Sequence, residues 1–211
     1  MRPRVKICGV TCDEDVDAVL AVGADYVGLN FYRPSPRYVD VETAARLRRR
    51  IGDRAGVVGV VVDAPVDELR SLTELVGPDL LQFHGTESPE DLAPFAERAI
   101  KVFRVSDRFS EAELTPYDGV WGFLFDSGRG RGLGGTGVPW SYEAVAGLGT
   151  DKGFFVAGGV GPDNVAEVCA RSAPWGIDLC SSVESEPGRK DPALLERLIE
   201  ELNDVEDATT A

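Results

Sequence analysis

The sequence predicts an α/β fold: a single (β/α)8 barrel of the TIM type with short loops. Three observations carry that expectation. Eight short apolar runs alternate with amphipathic helical runs along the chain. The apolar runs are mostly continuous rather than alternating, as parallel strands buried on both faces require. A length of 211 residues accommodates eight minimal βα units and little else. Such alternation implies parallel strands joined by right-handed crossovers. An open doubly wound sheet would carry a glycine-rich dinucleotide loop after the first strand, and Cys8-Gly9-Val10-Thr11-Cys12-Asp13 is not one.

The elements follow in order. A strand is expected at 5–8, then a helix over 13–22 that opens on acidic residues and stops at Gly23, a natural C-cap. The second strand, 25–31, leads through a proline-stiffened loop to a helix over 41–51 ending at Gly52. The third, 56–62, precedes a helix over 66–76 halted by Gly77-Pro78. The fourth, 80–84, precedes a helix over 88–98, with Ser88 as N-cap and Asp91 in the manner of a capping box. After the fifth strand, 100–104, the connection over 105–118 is at best weakly helical. The sixth, 122–126, runs into a glycine-rich loop and a short helix over 140–147. The seventh, 153–157, precedes a helix over 162–171, and the eighth, 176–181, precedes one over 191–203 with Asp191 as N-cap and Pro192 at N1. Residues 204–211 are expected to fray as an acidic tail. No linker, repeat or second domain interrupts the pattern, so 1–211 reads as one domain.

Composition narrows the function. The chain is 43% hydrophobic and 27% charged, which suits one soluble domain with a sizeable core. Its longest apolar run, near 57–62, falls well short of the ~20 residues of a membrane-spanning helix. No signal-peptide core precedes the first strand, so the expected location is the cytoplasm. A net charge of −14 disfavours nucleic acid as a partner. Eighteen arginines against four lysines on an acidic chain fit either a salt-rich cytoplasm or a GC-rich genome. Cys8, Cys12, Cys169 and Cys180 show neither disulfide nor zinc spacing, and His84 is the only histidine, so no metal and no cofactor are expected.

Barrel active sites collect at the C-terminal ends of the strands. Cys8 ends the first strand and Asp126 the sixth, which sets a thiol and a carboxylate at one mouth. A buried cysteine is by composition a small hydrophobe, but a thiol facing a carboxylate also forms a base and an acid. Desolvation at the mouth would favour the proton-donating form of Asp126. Arg37, in Pro34-Ser35-Pro36-Arg37-Tyr38, suits capture of a carboxylate, or is simply a solvated arginine. Six glycines in 128–137, including Gly135 and Gly137, could close over an anion. Gly158-Gly159 and Ser181-Ser182 follow the last two strands, where barrels often bind phosphate. Lys6 is expected to point away from Cys8 and is given no part in activating it.

Motifs at seven positions resemble one family. They are Lys6-Ile7-Cys8-Gly9-x-Thr11, Asn30-Phe31-Tyr32-x-x-Ser35-x-Arg37-Tyr38, Gln82-x-His84-Gly85, Leu124-x-Asp126, Gly134-Gly135-Thr136-Gly137, Ala157-Gly158-Gly159-x-x-Pro162-x-Asn164-Val165, and Gly176-Ile177-Asp178 with the segment through Asp191. In that order and over nearly the whole chain they resemble phosphoribosylanthranilate isomerase of tryptophan biosynthesis. The resemblance implies a barrel that catalyses an Amadori rearrangement of a phosphoribosyl substrate, with Asp126 as general acid and Cys8 as general base. It implies that Arg37 holds the anthranilate carboxylate and that the late glycine loops, with Ser181 and Ser182, hold the phosphate. His84 and Asp178 complete the substrate-binding set without an assigned role. One departure stands out: Ser182 replaces a family glycine and Cys180 a serine. If that glycine has positive φ, Ser182 would carry backbone strain of roughly 1–2 kcal/mol; its hydroxyl could instead donate to the phosphate. Two alternatives are the related aminoaldose isomerase of histidine biosynthesis and a non-catalytic phosphate-ligand barrel. The chain is expected to be a monomer or homodimer.

Overall fold

In the computed structural model, residues 2–105, 109–127, 142, 145–148 and 150–210 are described. Eight parallel strands close a barrel in chain order: β1 (Arg4–Cys8), β2 (Tyr26–Asn30), β3 (Gly56–Val61), β4 (Leu80–Phe83), β5 (Ala99–Val105), β6 (Gly122–Ser127), β7 (Phe154–Val156) and β8 (Gly176–Leu179). β8 returns to pair with β1, with Lys6 opposite Asp178 and Ile7 opposite Leu179. The expected (β/α)8 barrel is the observed fold, and each strand lies within two residues of its expected bounds.

The helices packed outside are α1 (Asp13–Ala21), α2 (Val41–Ile51), α3 (Val66–Leu75), α4 (Pro89–Leu92), α5 (Val165–Ser172) and α6 (Pro192–Thr210). Ser88 and Asp91 form the capping box, each side chain accepting from the other residue's backbone N–H. Only four residues of the fourth helix are α-helical; Ala93–Arg98 continues as a 3-10 turn, because Pro94 cannot donate to the ladder. α5 starts at Val165, later than expected, after a turn held by Asn164. α6 runs on to Thr210, past the expected end at 203, since no glycine or proline stops it. The connection after β5 contains two 3-10 turns, Glu111–Glu113 and Thr115–Tyr117. The helix expected over 140–147 lies largely outside the described residues.

One element has no counterpart in the sequence-based expectation. Glu184–Glu186 (β9) and Arg189–Lys190 (β10) form a small antiparallel hairpin after β8. Pro187-Gly188 makes its turn, with Gly188 at φ +86°, as a proline followed by a glycine in a type II turn requires.

Two cores result. The larger lies between barrel and helices; the smaller fills the barrel's lower interior with Val58, Leu80, Ile100, Val102, Leu124 and Phe155. These are alternate residues of their strands, as the period of two demands. Above that plug the inward positions turn polar. Lys6, Gln82, Asp126 and Asp178 are all buried there, and this layer is the floor of the site.

Candidate active site

A cavity of about 240 Å³ opens at the C-terminal ends of the strands. Cys8, Arg37, His84, Asp126, Asp178, Gly158, Gly159, Ser181 and Ser182, nine of the eleven residues expected to form the site, line it. The other two, Gly135 and Gly137, lie outside the described residues.

Cys8 ends β1 with its side chain turned into the barrel. Gly28 lies opposite it on β2, and a Cβ there would meet the Cys8 sulfur at 2.9 Å. The neighbouring strand must be bare at that point for the thiol to occupy its place. Two ammonium groups flank Cys8. Lys6, fully buried, bonds to Asp178 Oδ1 at 2.7 Å. Lys190, carried in by the hairpin, donates to the Cys8 carbonyl at 2.6 Å and to Glu184 Oε1 at 2.7 Å. The placement of Lys6 corrects the expectation that it faces away. It is two positions from Cys8, and in a strand residues i and i+2 share a face.

These neighbours set the protonation state. A hydrogen bond from Cys180 and the charges of Lys6 and Lys190 outweigh burial and hold the Cys8 thiol well below its usual pKa. Donation to Cys8, together with burial, holds Cys180 well above it. Both directions favour negative charge on Cys8 over Cys180. Burial, reinforced by the charges of Cys8 and Asp126, raises the Asp178 carboxyl to about 7 against the pull of Lys6. Burial opposes the charge on Lys6, but Asp178 and Cys8 keep its ammonium pKa raised.

Across the mouth, Asp126 ends the apolar run of β6 and is buried. His84 Nε2 approaches its Oδ2 at 3.5 Å. Gln82 lies 3.3 Å from the other ring nitrogen of His84. Among the described residues, Gln82 Oε1, His84 Nε2 and Asp126 Oδ1 are buried without a hydrogen-bond partner. Groups so placed are destabilising unless something pairs with them, and all three belong to residues that line the cavity.

Arg37 arrives from the loop after β2, which Ser35 braces by accepting from the Arg37 N–H. Its Nε and Nη2 both bond to the Glu184 carboxylate, at 2.6–3.1 Å. The fork expected to grip a ligand carboxylate is thus already engaged by an internal one, with Nη1 outside that pair. The Gly158-Gly159 turn has φ of +80° and +78°, open only to glycine without strain, and Asn164 pins it by donating to the Gly159 carbonyl. Ser182 is not at positive φ, which removes the expected strain. Its hydroxyl donates to the Val160 carbonyl at 2.5 Å, tying the loops after β7 and β8 together.

The sequence model of the N-(5'-phosphoribosyl)anthranilate (PRA) isomerase family matches residues 5–201. The chain belongs to that family. It is an isomerase, as the resemblance implied. The N-(5'-phosphoribosyl)anthranilate isomerase of Bordetella avium is 40% identical over 98% of either chain. The solved phosphoribosyl anthranilate isomerase of Thermus thermophilus superposes with a TM-score of 0.86 at 32% identity, over 96% of this chain and 99% of its own. A further PRA isomerase structure, in complex with reduced 1-(o-carboxyphenylamino)-1-deoxyribulose 5-phosphate, superposes with a TM-score of 0.82 at 29% identity, over 96% and 99% of the two chains.

For this isomerase, sequence reasoning missed Lys6, Cys180, Glu184 and Lys190. The Pro187-Gly188 turn signal marked the hairpin that brings Lys190 in. The spacing of Lys6 and Cys8 marked their common face. Among the described residues no group of side chains could hold a metal ion, and no helix is long and apolar enough to cross a membrane.

Proposed function

We propose that this isomerase converts N-(5'-phosphoribosyl)anthranilate to 1-(o-carboxyphenylamino)-1-deoxyribulose 5-phosphate in tryptophan biosynthesis, with Cys8 as general base and Asp126 as general acid. The observation that carries the assignment is their opposition. A thiolate held by two ammonium groups on β1 shares one cavity with a buried carboxyl on β6 whose Oδ1 has no partner.

The rearrangement moves protons only. Asp126 gives a proton to the ribose ring oxygen; the ring opens and the nitrogen becomes a cationic Schiff base. That cation acidifies the C2′ hydrogen, so a modest base suffices. Cys8 removes that hydrogen as a proton, and the resulting enolamine tautomerises to the ketone. A thiolate suits the step because it is charged before the substrate arrives. The carboxylate of the anthranilate ring is assigned to Arg37 Nη1, and the phosphate to the loops of Gly158-Gly159 and Ser181-Ser182, with Gly135 and Gly137 contributing from the loop after β6. His84 and Gln82 are assigned to the substrate's oxygens between these ends. Asp178 keeps Lys6 beside the thiolate.

Loss of substrate fluorescence, with the labile substrate generated in situ, tests the reading. Wild-type turnover, with Cys8→Ala and Asp126→Asn each slower by roughly 10²-fold or more, is the expected result. Near-wild-type rates in either variant would overturn that residue's role.

A further inference from the structure

The chemistry assigned above uses Cys8 and leaves a second buried thiol beside it without a step of its own. Cys180 lines the same cavity. β1 and β8 pair through Lys6–Asp178 and Ile7–Leu179, and Cys8 and Cys180 are the residues that follow that last pair in each segment. Paired strands lie about 4.7–4.9 Å apart, inside the roughly 4.4–6.8 Å between Cα atoms that a disulfide spans. Both residues line the cavity, Cys8 from the end of β1 and Cys180 from the residue just past β8. One ammonium, Lys190 Nζ, bonds to the main-chain carbonyls of both residues, at 2.6 Å and 3.4 Å. A Cβ built on Gly9 would meet the Cys180 sulfur at 3.1 Å, so that sulfur sits over the residue that follows Cys8.

We infer that Cys8 and Cys180 are an oxidative modification site, in which a hydroperoxide converts the two thiols to an intramolecular disulfide. Cys8 sulfur attacks one peroxide oxygen; an S–O bond forms, the O–O bond breaks, and hydroxide leaves to become water. Cys180 sulfur then attacks the sulfur of the Cys8 sulfenic acid. The S–S bond forms and a second hydroxide departs with the Cys180 proton as water. Two thiols and one hydrogen peroxide give one disulfide and two waters. The roles are not interchangeable. The attacking sulfur must be the thiolate, and Lys6, two positions away on the same face of β1, favours that charge on Cys8.

Neither remaining cysteine competes. Cys12 lies outside the cavity, its sulfur approached by Arg189 at 3.0 Å. Burial raises the Cys169 thiol to about 11, leaving it unreactive at neutral pH. Loss of turnover on oxidation rests on the assignment of Cys8 as the base; the disulfide itself does not.

The test is graded hydrogen peroxide on the full chain and on a Cys12→Ser/Cys169→Ser variant, followed by mass spectrometry of peptides digested without reductant. The expected result in both is a peptide joining Cys8 to Cys180 and a mass lower by two hydrogens. Turnover should fall at least roughly tenfold as the bond forms and return with dithiothreitol. In Cys180→Ser, compared with its own untreated rate, the same oxidant should carry Cys8 on to sulfinic acid, a loss dithiothreitol does not reverse. Cys180→Ala guards against an effect of the new hydroxyl and should behave the same. Absence of the joined peptide in oxidised protein, or full reversibility in both Cys180 variants, would overturn the proposal. A complete disulfide with undiminished turnover would uphold the modification site and remove Cys8 from the base role.

Discussion

On the side of the mouth built by β1 and β8, the described cations Lys6, Lys190 and Arg37 have internal partners: Lys6 with Asp178, Lys190 with Glu184, Arg37 with Glu184. On the side built by β4 and β6, Gln82, His84 and Asp126 each bury a polar atom that has none. The difference matches what the proposed assignment asks of each side. A thiolate has to exist before substrate binds, so its counter-charges are fixed in advance by the fold. Proton donation and hydrogen bonding to substrate need groups that the protein itself has not satisfied. The base side therefore stores its electrostatics in the protein, and the acid side reserves its hydrogen bonds for the ligand.

The largest effects come from removing the two groups that define the comparison. Cys8→Ala and Asp126→Asn should each reduce kcat/KM by roughly 10²–10⁴-fold, read by the fluorescence assay. Only Cys8→Ala should leave the buried atoms of the acid side as they are. Removing the anthranilate carboxylate from a substrate analogue should weaken its binding by the same factor in both variants, since Arg37 is untouched in each.

Breaking the base side's inner pair tests stability. Asp178→Asn takes the carboxylate from buried Lys6 and should reduce unfolding free energy by about 3–5 kcal/mol in urea, whereas Lys6→Met with Asp178→Asn should recover most of it. The pH dependence has a definite sign. The Asp178 carboxyl titrates near 7 in the folded chain against 3.8 unfolded. Between those values the native state holds a proton that the unfolded state has lost, so this group lowers stability as pH rises from about 4 to 7. The double variant should flatten that slope; an unchanged slope would show that Asp178 is not its source.

Lys190→Gln sharpens the contrast further. Removing one of the two flanking ammonium groups raises the Cys8 thiol toward its ordinary value. The acidic limb of kcat/KM should move to higher pH, with the rate recovering in alkaline solution. A uniform loss at all pH values would mean that Lys190 only braces the hairpin. The smallest effect belongs to Ser182→Gly. Its hydroxyl links two loops through one neutral bond of about 1 kcal/mol, so KM should stay within roughly threefold.

The same comparison explains what the sequence disclosed. The fold was legible because eight continuous apolar runs, separated by capped amphipathic segments, leave few other architectures open. Cys8 and Asp126 were legible because each closes such a run, and strand ends point to one mouth. The partners that govern Cys8 were harder to see. Asp178 lies 172 positions from Lys6, and no local pattern couples them. Lys190 reads as a surface residue beside a turn until the hairpin folds inward. Arg37 was legible as a carboxylate binder, but its first partner, Glu184, is 147 positions away. At Ser182 the sequence left strain and a free hydroxyl both open, because no local pattern fixes its φ; the structure holds it outside the left-handed region.

The bond from Lys190 to the Cys8 carbonyl spans 182 positions. Polypeptides are made from the amino end, so for most of its synthesis the nascent chain holds Cys8 without Cys180 or Lys190. Their contributions to its acidity arrive only after the eighth strand, when the ring closes. The fully sensitised sulfur thus belongs to the finished molecule. A chain that stops before the eighth strand carries Lys6 beside Cys8 but neither of the later two groups.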